Sequence, residues 1–551
     1  MSTTEPTQPA TSTGPTVPTT DRRRWIGLVG ISLAVALIIA DSTIVNVAVP
    51  YIVRDLSLTS TEVQWVQESY TLVFAATLLI WGALADRYGR RRILLIGVVV
   101  FMAASMVAAV AATGPLLIGA RVLQGVGGAM ILPTSLSLIN STFTGRDRGI
   151  AFAVWGSTIG GMAAVGPLLG GWLTTAFSWR WAFGINLPVG LLIIALVLLF
   201  VPESRSPQTT GVDWVSALLT TVGFGLLAFG LIEGRQYGWW TSVKPLTIDG
   251  WTWESTLSPI PVAFAVSALA LVVFVIRAYR RTRAGRSSLI DPGLFGITSF
   301  RNGNIAALIV SLGEFGIILS LPIWLQNVLG YTALQTGFVL LGLAVGSFAA
   351  SGLSVGLPAK IGAVGVVRIG IVAEIIGIAG VGLVVSPTTG WAPLVGLLFV
   401  YGFGVGLATA QLTGVVLADV PVARSGEGSG IQSTSRQIGS ALGIAVLGTV
   451  LFVSAGNSLS TELTDQGVPA AATDQLVNAV VDSAGSAIPA LAADPATAAA
   501  ADAAKQAFSQ GTSYSAYVAA AFLVIGLIAT LSLRNRRPQD GATPDPAVAA
   551  S

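Results

Sequence analysis

The chain has 551 residues, 53% hydrophobic and only 10% charged, against roughly a quarter charged in soluble domains, so it is an all-α integral membrane protein with many spans. It contains no Cys and no His, which excludes disulfides, thiolate metal sites and imidazole proton shuttles. Its net charge of +3 gives no case for nucleic acid. Lys244, Lys360 and Lys505, the only lysines, precede Pro245, Ile361 and Gln506; no Gly-Lys-Ser/Thr phosphate loop exists and any work must draw on an ion gradient or a partner.

Residues 1–24 are rich in Ser, Thr and Pro and read as a disordered cytoplasmic tail. Six spans follow at about 26–49, 62–84, 93–112, 115–139, 148–176 and 181–201, forming an N-terminal unit over 25–202. Two more, at about 213–232 and 259–277, fall within 203–286. The last six, at about 302–326, 335–357, 364–385, 391–417, 428–453 and 514–533, form a C-terminal unit over 287–535, and 536–551 is a second disordered cytoplasmic tail. With the N-terminus inside, all but six of the 29 Lys and Arg fall on the cytoplasmic side: Arg54, Arg180, Arg235, Lys244 and Lys505 lie outside and Arg121 lies in the membrane. That bias fixes an even number of spans and places both termini in the cytoplasm. The outer loop 233–258 carries Trp239, Trp240, Trp251 and Trp253, suited to the headgroup layer, and 454–513 is a long Ala-rich outer segment. Ala151–Gly160 of the fifth span echoes Gly430–Gly439 of the thirteenth, and Arg87-Tyr88-Gly89 echoes Lys360-Ile361-Gly362, as a 6+2+6 repeat requires.

Asp41 lies deep in the first span. A carboxylate there costs roughly 2.5–3.5 kcal/mol on insertion scales and demands a partner, a proton or water. Glu68, Glu314 and Glu374 are the other carboxylates inside spans, and Arg121 reads as the one cation well inside. At about 1.5 Å per residue, Asp41, Glu68 and Arg121 sit roughly 12, 10 and 9 Å below the outer surface. A shared cluster is expected, with one Arg and one proton competing for two carboxylates. Glu314 falls near mid-membrane and Glu374 closer to the cytoplasm; each either binds a proton or substrate or is a protonated structural residue.

Gly82-Ala83-Leu84-Ala85-Asp86-Arg87-Tyr88-Gly89-Arg90 follows the second span. Asp86 beside Arg87 and Arg90 can bond across to another helix end, with Gly82 and Gly89 allowing close approach and a tight turn. This segment resembles the signature loop of the major facilitator superfamily. Arg121-Val122-Leu123-Gln124-Gly125 is similar to its Arg-x-x-Gln-Gly segment. Gly166-Pro167-Leu168-Leu169-Gly170-Gly171 resembles the core of its antiporter motif, although Met162 stands where a Gly is usual. Asp41 through Pro50, including Asn46, and Trp179 through Pro188 resemble the fourteen-span drug:proton antiporters of that superfamily. The resemblance implies two pseudo-symmetric six-helix bundles, alternating access and proton-coupled export. Beside it, the buried charges make Asp41, Glu68, Arg121, Glu314 and Glu374 the candidate coupling or substrate residues, although Glu is not a hallmark of the family at position 68, with Asn46, Gln124 and Gly125 supporting them. Gly82, Asp86, Arg87, Gly89 and Arg90 become a conformational latch, and Gly166, Pro167, Gly170 and Gly171 a hinge or seal.

The expected function is export of amphipathic or cationic small molecules across the cell membrane, powered by a proton gradient, with no cofactor or metal. The expected partners are the cargo, protons and the lipid bilayer, with a monomeric chain. A lipid or metabolite exporter is the alternative, and a non-transporting sensor or scaffold the remote one. No nucleophile–base set points to an enzyme.

Overall fold

The computed structural model describes residues 21–58, 60–205, 213–248, 251–286, 288–354 and 356–533. The two expected tails lie outside these residues, except that residues 21–24 are helical and open α1, Asp21–Leu56. α2 Ser60–Tyr88, α3 Arg90–Ala109, α4 Gly114–Thr142 and α5 Gly145–Ala176 follow. The sixth expected span is two helices, α6 Trp181–Gly184 and α7 Asn186–Phe200, joined by a turn at Ile185. α8 Trp214–Tyr237 and α9 Pro259–Arg283 form a hairpin. Its inner end is tied by Asp213, which caps α8 and pairs with Arg277 and Arg281 of α9. Its outer loop holds the short strands β1 Thr247–Ile248 and β2 Trp251–Thr252; Trp239 stacks on Phe264 while Trp240 and Trp251 are exposed.

The remaining helices are α10 Thr298–Asn327, α11 Ala333–Ser354, α12 Leu357–Ile361, α13 Ala363–Val384, α14 Trp391–Leu417, α15 Ser425–Asp465, α16 Ala470–Asp482, α17 Ile488–Ala493 and α18 Ala498–Ala529. Among the described residues, eleven helical stretches are long and apolar enough to cross a bilayer, with Leu334–Ala350 a shorter one. Together with α5 and α10, of 32 and 30 residues, they are consistent with fourteen spans.

α15 and α18 outrun their expected spans. At 41 residues α15 is roughly 60 Å long, about twice the hydrocarbon thickness. The expected spans end with the apolar stretch, but the helices continue, α15 on Ser-, Thr- and Leu-containing sequence and α18 on Ala-rich sequence. The outer part of 454–513 folds back on these extensions, burying Leu459, Leu463, Val480, Ile488 and Phe508.

α1 packs on α5 and α7, and α4 on α2 and α3; α10 packs on α15 and α18, and α13 and α11 on α14. The two bundles meet along two seams, α2 against α15 and α5 against α11. In each, the second long helix of one half lies on the fifth of the other, as the sequence repeat demands. Glycine sets the spacing at the inner end of the first seam. A Cβ on Gly82 would stand 2.5 Å from the Gly426 carbonyl oxygen and 2.8 Å from Gly430 Cα. The hairpin rests through α8 on both α2 and α15, alongside this seam.

Candidate functional site

In the N-terminal bundle, Asp41 is completely buried. Arg121 Nη1 donates to Asp41 Oδ2 at 2.7 Å, while Gln124 and Asn186 donate to Asp41 Oδ1 at 3.1 and 2.6 Å. Gln124 and Asn186 also donate to Ser105, at 2.8 and 3.1 Å. Arg121 donates from Nε to the Val66 carbonyl at 3.1 Å, and its guanidinium lies 4.4 Å from the Tyr70 ring centre. One anion and one cation are thus neutralised and hydrogen-bonded from four helices, the arrangement a buried pair needs to persist. Gly125 lets α4 approach α2, since a Cβ there would stand 2.7 Å from the Tyr70 carbonyl oxygen. Tyr70, Ser105 and Asn186 were not singled out from the sequence. The signal available was the Asn of Ile185-Asn186-Leu187-Pro188, at the turn between α6 and α7. The Asn46 side chain lies outside the described residues.

Glu68 lies toward the hairpin: its charge acts on Tyr237 of α8, as does that of Glu233. Arg121 meets the α2 backbone at Val66, and two residues further on an α-helix has turned to nearly its opposite face.

In the C-terminal bundle, Glu314 is buried, accepts from the Thr409 hydroxyl at 3.2 Å and pairs with Arg436 at 3.5 Å. Tyr401 donates to the Glu314 carbonyl at 2.9 Å. Glu374 is completely buried, and neither of its carboxylate oxygens has a hydrogen-bond partner among the described residues. The charges that act on it are those of Glu314 and Arg436. Arg121 is therefore not the one deep cation. Arg436 was counted with the inner surface, yet it lies eleven residues into α15, roughly 16 Å along the helix from Ser425.

At the turn between α2 and α3, Asp86 is buried and crosses between bundles. It accepts the backbone N–H groups of Gly426 and Glu427, at 2.8 and 2.9 Å, in the first turn of α15. These are unpaired helix N-terminal donors, and the helix dipole favours an anion there. Arg90 braces the carboxylate at 2.6 and 2.9 Å and reaches the Val422 carbonyl at 2.6 Å. Gly89 makes the turn with φ of 110°. Arg87 instead lies over the Tyr88 ring. Asn140 of α4 adds a bond to Ser425 at 2.8 Å.

Gly166 and Gly170 of α5 face α1. A Cβ on Gly166 would overlap the Thr43 hydroxyl, and one on Gly170 would stand 3.0 Å from the Ile44 carbonyl oxygen. Gly171 faces Leu334 of α11, and Pro167 lies inside α5. The α1 backbone so gripped is within one turn of Asp41. At the outer ends of α1 and α5, Tyr51, Asp55, Phe177, Trp179 and Arg180 line an open cleft of about 390 Å³. Arg180 and the Trp179 indole N–H, donating to Asp55 at 2.5 and 3.0 Å, hold its carboxyl below the usual carboxylate range.

Two helical bundles joined along pseudo-symmetric seams, each with a buried charge network, define a membrane carrier of the two-bundle kind. The Major Facilitator Superfamily model matches residues 31–444, and the chain belongs to that superfamily. It is 33% identical over 528 residues to the multidrug efflux pump LfrA of Mycolicibacterium smegmatis, covering 95% of this chain and 98% of that one. It is 34% identical to a probable actinorhodin transporter of Streptomyces coelicolor, over 82% of this chain and 76% of the relative. It is 33% identical to the puromycin resistance protein pur8 of Streptomyces alboniger, over 85% and 88%. Among solved structures, the proton:xylose symporter XylE aligns at a TM-score of 0.55 and 14% identity, over 92% of this chain and 95% of that one. The human organic anion transporter MFSD10 aligns at 0.55 and 13%, over 93% and 99%. These two likenesses concern the fold alone.

Proposed function

We propose that this protein exports amphipathic or cationic small molecules across the cell membrane by alternating access, in exchange for protons. The observation that carries the reading is the end-to-end similarity to a multidrug efflux pump, in a chain with a buried carboxylate–arginine site in each bundle. Asp86 on the first turn of α15 is the latch that closes the inner side, with both termini on that side. Gly166 and Gly170 seat α5 on α1 as the seal beside Asp41. Asp41 with Arg121, and Glu314 and Glu374 with Arg436, are the coupling groups. Glu68 lies toward α8, and the proton gradient is the only energy source required.

The test is ethidium transport by everted vesicles from an efflux-deficient host expressing the chain. Ethidium uptake that follows an imposed proton gradient, and resistance of the host to ethidium, are expected. Uptake indifferent to the gradient would refute coupling; absence of transport across a screen of lipophilic cations would refute drug export.

A further inference from the structure

Resting on the proton-coupled reading, we propose that Glu374 holds the exchanged proton, with Arg436 as the positioning residue that Glu314 keeps away from it. The charge count differs between the bundles. Around Asp41 there is one carboxylate and one guanidinium, and each carboxylate oxygen accepts at least one bond. Around Arg436 there are two carboxylates and one guanidinium. In so enclosed a place the surplus anion requires a proton.

Geometry selects its seat. Glu314 takes both Arg436 and the Thr409 hydroxyl. Glu374 is fully buried with neither oxygen bonded among the described residues, its side chain in the notch left by Gly404, where a Cβ would stand 2.7 Å from Glu374 Cγ. The titratable and charged groups facing it are Glu314 of α10, Tyr401 of α14 and Arg436 of α15. On α18, Tyr517 packs at Gly382, two turns further out.

Release is built into α15. This helix begins at the turn held by Asp86 and carries Arg436 eleven residues on. When the latch opens and α15 shifts, Arg436 leaves its loose 3.5 Å contact with Glu314 and moves to Glu374. The Glu374 O–H bond then breaks, its proton passes to water on the open side, and the guanidinium neutralises the carboxylate left behind. Return of Arg436 to Glu314 restores the acceptor for the next proton. Nothing is oxidised or reduced.

Infrared spectroscopy of the purified protein in lipid nanodiscs reads the proton directly, through the carbonyl band of a protonated carboxylic acid at neutral pH. The wild-type-minus-Glu374→Gln difference spectrum is expected to contain the band, and Thr409→Val to leave that component unmoved because among the described residues the Thr409 hydroxyl bonds Glu314 and not Glu374. Arg436→Gln protonates both groups and is expected to raise the band about twofold. Glu374→Gln is expected to keep gradient-independent ethidium exchange in vesicles and lose gradient-driven uptake, while Glu374→Asp restores driven uptake with a shifted pH profile. A difference spectrum without the band, or a component that shifts in Thr409→Val, would overturn the assignment in favour of Glu314. Wild type that shows the band but moves no ethidium would overturn the exporter reading and uphold the seat of the proton.

Discussion

Replacing Asp86 by Ala removes the contact between the bundles that the structure defines best. Of its bonds, those from Arg90 lie within one bundle, whereas those from the Gly426 and Glu427 amides cross to the other bundle and, on the proposed latch reading, are lost on opening. Each hydrogen bond to a charged acceptor contributes about 1.5–3 kcal/mol. The two together bias the closed form by about 3–6 kcal/mol, more than a hundredfold in population. The change also leaves Arg90, whose side chain is 1% exposed, without its anion, adding to the penalty on the closed form. Because the protein has no cysteine, Tyr88→Cys and Val422→Cys, both at exposed positions, can carry spin labels on the two sides of the latch. Asp86→Ala is expected to shift the label distances to a longer, open distribution and to cut driven ethidium transport by about 10²-fold. Distances indistinguishable from those of the latched parent would refute the assignment of Asp86 as the latch.

Three further outcomes are expected. Asp41→Asn strands Arg121 without a counter-charge, at about 3–5 kcal/mol; driven uptake is expected to fail in vesicles that still contain the inserted protein, and unchanged uptake would exclude a coupling role. Gly166→Val forces α5 off Thr43 and is expected to destabilise the fold by about 1–3 kcal/mol, seen as a lower melting temperature in detergent; an unchanged melting temperature would show that α1 and α5 do not depend on that contact. The Asp55–Arg180 bridge at the outer rim depends on pH. Its carboxyl is held below the unfolded value of about 3.9, so its stabilisation is present above that value and vanishes as pH falls through the lower folded value. Arg180→Gln is expected to flatten the acid limb of the melting profile, and an identical acid limb would count against the bridge.

Much of this was legible in the sequence because the bilayer imposes a one-dimensional ruler. Apolar runs located the spans, and residue counting put Asp41 and Arg121 at one depth, where they are in contact. The ruler carries no information on rotation, so it could not tell that Glu68 lies toward α8. It also ends where the apolar run ends: the helices at 454–465 and 498–513 continue on polar and Ala-rich sequence respectively, which a hydropathy criterion reads as a loop. Arg436 was missed because Arg424, twelve residues earlier, drew it into the inner surface. Asn186 and Ser105 are uncharged and only tertiary packing reveals that both serve Asp41.

The length of α15 has a consequence for reach. One uninterrupted helix carries the residues that Asp86 grips, the guanidinium beside Glu314, and the platform on which α16 folds. A shaft of this kind reports at its far end what happens at its near end. The small helix α16 is therefore tied mechanically to the Asp86 contact, and an antibody fragment seated on it is expected to slow transport.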